Sequence, residues 1–181
     1  MHVRHARAVA ELLGPSPAFL DLGTGGGIPG LVLADVWPDS RAVLLEAHQR
    51  RCAFLEEAIR ELGLAPRVEV ACGRAEALAR DPRFRCSTPL VVARGFGPPA
   101  VTAECAVGFL EVGGFLAVTE PPGGSREPAE RWPTAGLARL GFGVAVELRA
   151  GDAGVARMRL EHEPADRWPR RGGIPRKRPL W

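Results

Sequence analysis

The sequence predicts a doubly wound α/β fold, a Rossmann-like sheet that ends in an antiparallel pair of strands. Three observations predict it. Short apolar runs alternate with amphipathic stretches along the whole chain. A strand, a glycine loop and a helix start are compressed into Asp21-Leu22-Gly23-Thr24-Gly25-Gly26-Gly27-Ile28-Pro29-Gly30. The last two apolar runs lie around Gly151-Asp152-Ala153-Gly154, a turn with no room for a crossover helix.

The elements follow in chain order. His2 to Leu13 reads as a helix beside the first strand, with Arg4 and Arg7 on its wet side. Pro17 to Leu22 is a short apolar run after a Pro/Ser break, as expected of a buried parallel strand. Pro29 suits the first turn of the next helix, where a missing N–H costs nothing, and Leu31, Val32, Leu33 and Val36 carry its apolar pattern. Arg41 to Glu46 is a second strand. His48 to Leu62 follows as a helix with Cys52, Leu55, Ala58, Ile59 and Leu62 on one face, stopped by Gly63. Arg67 to Ala71 is a third strand, and Gly73 to Leu78 a loop and helix start. Thr88 to Arg94, the most apolar run, is placed at the centre of the sheet. Pro99 to Val112 reads as a helix, Gly114 to Glu120 as a fifth strand, and Pro121-Pro122-Gly123-Gly124 as a break. Trp132 to Leu140 reads as helical, and Val144 to Leu148 with Val155 to His162 as the antiparallel pair. The reading is one domain over 1–162, with residues 163–181 a basic, aromatic tail that packs on it or extends it.

At 181 residues, 46% hydrophobic and 25% charged, the chain suits a single core. No stretch approaches the roughly 20 apolar residues of a membrane span, and no signal-peptide core precedes residue 20. The expectation is a cytoplasmic monomer with no membrane partner. Cys52, Cys72, Cys86 and Cys105 lack metal-ligand spacing, so they read as small core residues and no metal site is expected. The net charge of +3 is local: residues 161–181 hold six basic side chains against three acidic ones, and the preceding 160 are balanced. Arg170, Arg171, Arg176, Lys177 and Arg178, set among Trp168, Trp181 and several prolines, suit phosphate contact and base stacking.

In doubly wound sheets a ligand lies at the carboxyl ends of the strands. Those ends offer the glycine loop, Glu46, Ala75-Glu76 and Arg94. Gly25-Gly26-Gly27-Ile28-Pro29-Gly30 is a literal G-x-G-x-x-G, which admits a dinucleotide. Asp21-x-Gly23-x-Gly25-x-Gly27, an acid followed by alternating glycines, instead suits S-adenosyl-L-methionine, whose ammonium group can lie near the loop. Glu46, a strand-terminal acid about 20 residues on, would hold a ribose in either case. Glu76 could accept the adenine amino group or serve the dipole of its own helix. Arg94 ends an apolar strand, where a lone charge needs a carboxylate partner or a ligand.

Together these residues resemble the ribosomal RNA small subunit methyltransferase G family, also called glucose-inhibited division protein B. The resemblance is carried by Asp21 to Leu31, by Leu44-Leu45-Glu46 with Arg50-Arg51-Cys52-Ala53-Phe54-Leu55, by Arg74-Ala75-Glu76, by Val91-Val92-Ala93-Arg94, and by the tail from Trp168 to Leu180. It implies a class I methyltransferase sheet and transfer of a methyl group from S-adenosyl-L-methionine to N7 of a guanine in 16S ribosomal RNA, free or in the small ribosomal subunit. It further implies that Gly23 and Ile28 line the cofactor pocket, that Ala75 and Glu76 bind the adenosine end, and that Arg94 lies beside cofactor and target base. Arg170 and the basic tail would grip RNA. The chain differs from the family pattern at Ala47, at Gly95-Phe96-Gly97-Pro98-Pro99, and at Thr119-Glu120-Pro121-Pro122, where a lysine is usual. Family members also usually carry a longer N-terminal helical segment.

The chemistry of the strand ends agrees with guanine N7. Ribose 2′-O-methylation relies on a lysine-containing tetrad, and the only lysine is Lys177 in the tail. Pyrimidine C5 methylation needs a placed cysteine nucleophile, absent from the strand ends. Amine methylation commonly uses an Asp/Asn-Pro-Pro-aromatic loop, which Gly97-Pro98-Pro99-Ala100 does not supply. Guanine N7 has a ready lone pair and no proton to lose, so positioning suffices, with Arg94 donating toward the O6 edge or the cofactor carboxylate. Two other readings stay open at this point: a catalytically silent RNA-binding domain, and a nucleotide-dependent oxidoreductase.

Overall fold

The computed structural model describes residues 2–121 and 128–181. Five parallel strands, β1 (Ala18–Leu22), β2 (Arg41–Glu46), β3 (Val68–Cys72), β4 (Thr88–Ala93) and β5 (Leu110–Glu120), are joined by two antiparallel ones, β6 (Val146–Ala150) and β7 (Ala153–Arg159). Their order is β3-β2-β1-β4-β5-β7-β6, with β4 in the middle. An all-parallel dinucleotide fold would run 3-2-1-4-5-6. Here antiparallel β7 lies between β5 and β6, which is a different topology.

The helices cover both faces. On one side α1 (His2–Leu13), α2 (Gly30–Val36) and α3 (Gln49–Glu61) bury Val9, Leu33, Trp37, Leu55 and Ile59 against Phe19, Leu44 and Val92. On the other, α4 (Ala75–Leu78), α5 (Pro99–Val107), a single turn α6 (Pro128–Arg131) and α7 (Thr134–Ala138) enclose Leu20, Leu22, Val91, Phe109 and Trp132. Both β1 and β4 show buried side chains on both faces, so they read as continuous apolar runs. The wet side of α1 carries Arg4 and Arg7, and Arg7 pairs with Asp35 at 3.4 Å.

Several boundaries differ from the sequence expectation. The helix expected over Pro99 to Val112 stops at Val107, because Gly108 and Phe109 turn the chain and Leu110 already begins β5. Pro29 caps α2 rather than opening its first turn. The final hairpin turns at Gly151-Asp152, so Ala153 and Gly154 belong to β7. Of the expected break after β5, Pro122-Gly123-Gly124 lies outside the described residues. Cys52 and Cys72 are not separate core residues but form a disulfide, their Cα atoms 5.9 Å apart across the α3–β3 contact. Cys105 is buried as expected.

The tail is built into the fold. After β7 it climbs between α4 and α5 and forms one short helix, α8 (Ile174–Lys177). Arg80 donates to the carbonyls of Arg167 (3.2 Å) and Pro169 (2.5 Å), and Arg85 to that of Trp168 (3.1 Å). Trp168 is only 5% exposed, and the Trp181 ring packs on Gly136. The Trp168 indole therefore fills the core and the half-buried Trp181 ring packs against it, so neither stands free as a stacking platform. Arg170, expected to grip RNA, is also committed elsewhere. Its Nε and Nη2 donate to Oε1 and Oε2 of Glu104 at 2.7 and 2.6 Å, its backbone N–H donates to Oε1 at 2.9 Å, and Nη2 also reaches the Arg178 carbonyl. Glu104 is fully buried and this is its ion pair, so the arginine that meets it cannot leave at little cost.

Arg170→Ala should accordingly destabilise the fold by about 3 kcal/mol in urea titrations, by stranding the Glu104 carboxylate. The double replacement Arg170→Leu with Glu104→Leu should recover most of that loss.

Candidate active site

The residues singled out at strand ends meet at one edge of the sheet. Asp21 pairs with Leu44 and Val92, Leu22 with Leu45 and Ala93, and Glu46 with Cys72. The chain segments leaving β1, β2, β3 and β4 therefore emerge side by side, in the order β3-β2-β1-β4.

Two buried carboxylates shape the glycine loop from within. Asp21, 1% exposed, accepts the Thr24 hydroxyl at 2.6 Å and the Gly30 N–H at 2.8 Å, both on Oδ2. The first bond folds the loop back on the strand, and the second receives a free N–H at the start of α2. Glu46, 4% exposed, accepts the Gly25 N–H on Oε2 at 3.1 Å, and the Ala47 N–H, the His48 N–H and the His48 ring on Oε1. Thr24 N–H adds a bond to the Leu45 carbonyl, and Gly73 N–H to the Glu46 carbonyl. One acid thus ties together the first loop, the start of α3 and the chain after β3.

Glycine is required here for definite reasons. Gly23, Gly25 and Gly27 have φ of +69°, +62° and +89°, a region that side chains disfavour. Gly30 has ordinary φ, but a Cβ there would strike Leu44 and the Asp21 carboxylate, so it sets the close approach of α2 to β1. A Cβ on Gly26 would meet nothing within 4 Å, and one on Gly25 only the Gly23 carbonyl at 4.0 Å. The outer edge of the loop is bare backbone facing open space.

Electrostatics distinguish the two acids. Burial pushes the Asp21 carboxyl up to about 6, against the pull of Thr24, Gly30 and the nearby Arg94 charge. Its Oδ1 is buried with no hydrogen-bond partner among the described residues. Burial also acts to raise Glu46, but the His48 ring and N–H, the Arg51 charge and the Ala47 N–H outweigh it and hold that carboxyl below its ordinary value. Glu46 is a settled anion, whereas Asp21 feels the Arg94 charge only from a distance and has no ion-pair partner within 4.0 Å among the described residues. A positively charged group at the loop would supply what Asp21 is missing, which is the fit expected for an ammonium- and sulfonium-bearing cofactor.

Arg94 leaves β4 alongside Gly23, one residue past the Leu22–Ala93 pair. Among the described residues it has no carboxylate within 4.0 Å. Its Nη2 approaches His2 Nδ1 at 2.5 Å. Burial, the Arg94 charge and His2 hold His5 below the ordinary imidazole value, so that ring stays neutral beside the arginine. Ala75 and Glu76 open α4 above the end of β3, and Ile28 sits half-buried in the loop's last turn. Glu76 does not stand free for a ligand: Oε1 accepts the Gly173 N–H of the tail at 2.9 Å, and Oε2 is 3.9 Å from Arg74 Nε. Arg171, Arg176, Lys177 and Arg178 are exposed and make no ion pair among the described residues. Sequence reasoning missed the parts played by Thr24 and His48, and it marked Phe96 only as part of a segment that differs from the family pattern. The position of His48 two residues after a strand-terminal acid was the one available signal; the other two become visible only in three dimensions.

The fold is widely shared. The mitomycin 7-O-methyltransferase MmcR matches with a TM-score of 0.69 at 17% identity, over 87% of this chain and 53% of that one. The [4+2]-cyclase SpnF matches at 0.65 and 21%, over 88% and 80%. That pair of names shows how little the sheet alone says about chemistry. Sequence relatives are more specific. Ribosomal RNA small subunit methyltransferase G of Moorella thermoacetica is 37% identical over 92% of this chain and 70% of its own length. The protein of that name from Symbiobacterium thermophilum is 35% identical over 99% and 78%. The family model for GidB, rRNA small subunit methyltransferase G, matches residues 1–120, the span that holds the glycine loop, Glu46, Ala75-Glu76 and Arg94. The oxidoreductase reading falls with these matches and with the strand order, and the chain belongs to the rRNA small subunit methyltransferase G family.

Proposed function

We propose that this chain transfers the methyl group of S-adenosyl-L-methionine to N7 of a guanine in 16S ribosomal RNA. The observation that carries the reading is the Arg94 guanidinium, unpaired with any carboxylate among the described residues, beside an open glycine loop whose buried acid has an oxygen without a hydrogen-bond partner. When bound, the cofactor supplies an electrophilic methyl group on a sulfonium. Everything else falls to the chain. Gly23, Gly25 and Ile28 form the floor of the pocket, Asp21 places negative charge beneath it, and Glu46 fixes the loop while bordering the ribose. Ala75 and Glu76 bound the adenosine end. Arg94 donates to the guanine O6 edge or to the cofactor carboxylate and so holds the N7 lone pair in line with the methyl carbon. Transfer to N7 would leave the positive charge on the base and the donor as a neutral thioether, so the chain's part is to align a lone pair that is already free. No general base is needed.

On the RNA side the proposal rests on Arg171, Arg176, Lys177 and Arg178, which are exposed on the tail next to α4. Arg170 is reassigned to holding the tail in place.

Three outcomes test this. Wild-type protein should bind S-adenosylhomocysteine in calorimetry and methylate 16S rRNA. Arg94→Ala should lose at least about 100-fold in methyl transfer, read by mass spectrometry of the rRNA, with little change in Tm, since the side chain is only half-buried. Retained activity would remove Arg94 from the mechanism.

Asp21→Asn should separate binding from stability. Because the folded carboxyl titrates near 6 against an ordinary 3.8, ionisation opposes folding. The penalty is absent below the lower value, grows as pH rises through the window, and is complete above 6. Between pH 4 and pH 8, stability should therefore shift in favour of Asp21→Asn by on the order of 2 kcal/mol, while affinity for S-adenosylmethionine at pH 8 falls about tenfold.

Replacing Arg176, Lys177 and Arg178 together by Ala should flatten the slope of log affinity for rRNA against log salt by about 0.7 for each phosphate the tail no longer neutralises. An unchanged slope would place the RNA interface elsewhere.

A further inference from the structure

Phe96 follows Arg94 by two residues and is half-buried. Gly95, at φ +63°, turns the chain so that the ring comes back over the glycine loop. A Cβ placed on Gly23 would lie 2.5 Å from Phe96 Cδ2 and 3.2 Å from Cε2. The ring thus rests on the first residue after β1, on the side of the loop where Arg94 also emerges. Three other rings, those of Phe84, Phe115 and Trp168, are covered by arginines, whereas no cation covers Phe96 among the described residues.

An aliphatic side chain would fill the same volume. The aromatic ring adds a face of negative potential, which attracts a cation without needing a hydrogen bond from it. A sulfonium is such a cation, since it carries full charge but has no N–H or O–H to donate. The Asp21 carboxylate lies buried beneath this same strand end, where Leu22 lies beside Ala93, and adds negative potential there.

We infer that Phe96 is a positioning residue whose ring contacts the sulfonium of the bound methyl donor and so favours that cation over the neutral thioether left after transfer. This rests on the methyltransferase reading above. The ring would hold the methyl-bearing centre while N7 approaches and loosen once the charge has moved to the base. Product release is thereby built into the same contact.

Calorimetry with S-adenosylmethionine and S-adenosylhomocysteine tests it on the intact chain. Phe96→Leu should weaken binding of the sulfonium ligand about fivefold and leave the thioether within about twofold, and Phe96→Tyr should restore the wild-type ratio. Fluorinated phenylalanine at position 96 keeps the shape of the ring and depletes its face, so it should reproduce the selective loss even if Phe96→Leu folds poorly. If both ligands weaken equally, or neither does, in these variants, Phe96 is only a packing residue and the inference is overturned. A wild-type chain that binds neither ligand overturns the methyltransferase reading, and the inference with it.

Discussion

The Glu46 carboxylate is the contact on which the rest of the site depends. It sits at the end of β2, almost without solvent, and receives N–H groups from the glycine loop and from the start of α3. Its backbone carbonyl takes Gly73 N–H and lies 3.4 Å from Cys52 Sγ. A glycine loop with three left-handed residues has little reason of its own to hold one shape. Burial of its anchors makes the shape cooperative, because removing the acid would strand several donors at once. Asp21 makes a similar commitment one strand over, with one oxygen committed to the loop and the other left without a partner among the described residues.

The basic tail divides into two populations with different work. Arg170 has given its charge to Glu104, deep in α5, and Trp168 and Trp181 have given their rings to packing. Arg80 and Arg85, from the body of the domain, supply the bonds that hold the tail backbone. After these obligations the exposed cations left over are Arg171 and Arg176 to Arg178, together with Arg167, whose guanidinium lies over the Trp168 ring. Net charge in a segment is thus a poor guide to how much of it faces a partner.

What was legible in the sequence was what adjacent residues determine. The apolar run from Ala18, the acid and glycines after it, and the acid closing Arg41–Glu46 state their roles within a few positions. What was not legible needed partners far along the chain. Glu104 lies 66 residues from Arg170, and Gly173 lies 97 from Glu76, so nothing local marks either as engaged. The Cys52–Cys72 bond follows from α3 running back along β3, a geometry that spacing alone does not encode. The overextended α5 has a simpler cause. Phe109 and Leu110 continue its apolar pattern, and helix and buried strand look alike over so short a run.

The antiparallel course of β7 carries a consequence for the tail. Gly154 pairs with Glu120 at the carboxyl ends of the parallel strands and Arg159 with Phe115 toward the opposite ends, so the chain leaves β7 at the far side of the sheet. To bring Gly173 to Glu76, the tail must travel back up the whole height of the strands, between Arg80 and Arg85, which alternate along Arg167 to Pro169, and then past Glu104. It acts as a strap of set length, with each clasp fixing the next. Its cations are presented beside the start of α4 because the length of chain between β7 and Gly173 matches the sheet. A single insertion in that stretch would put the register of every clasp above it at odds with its partner.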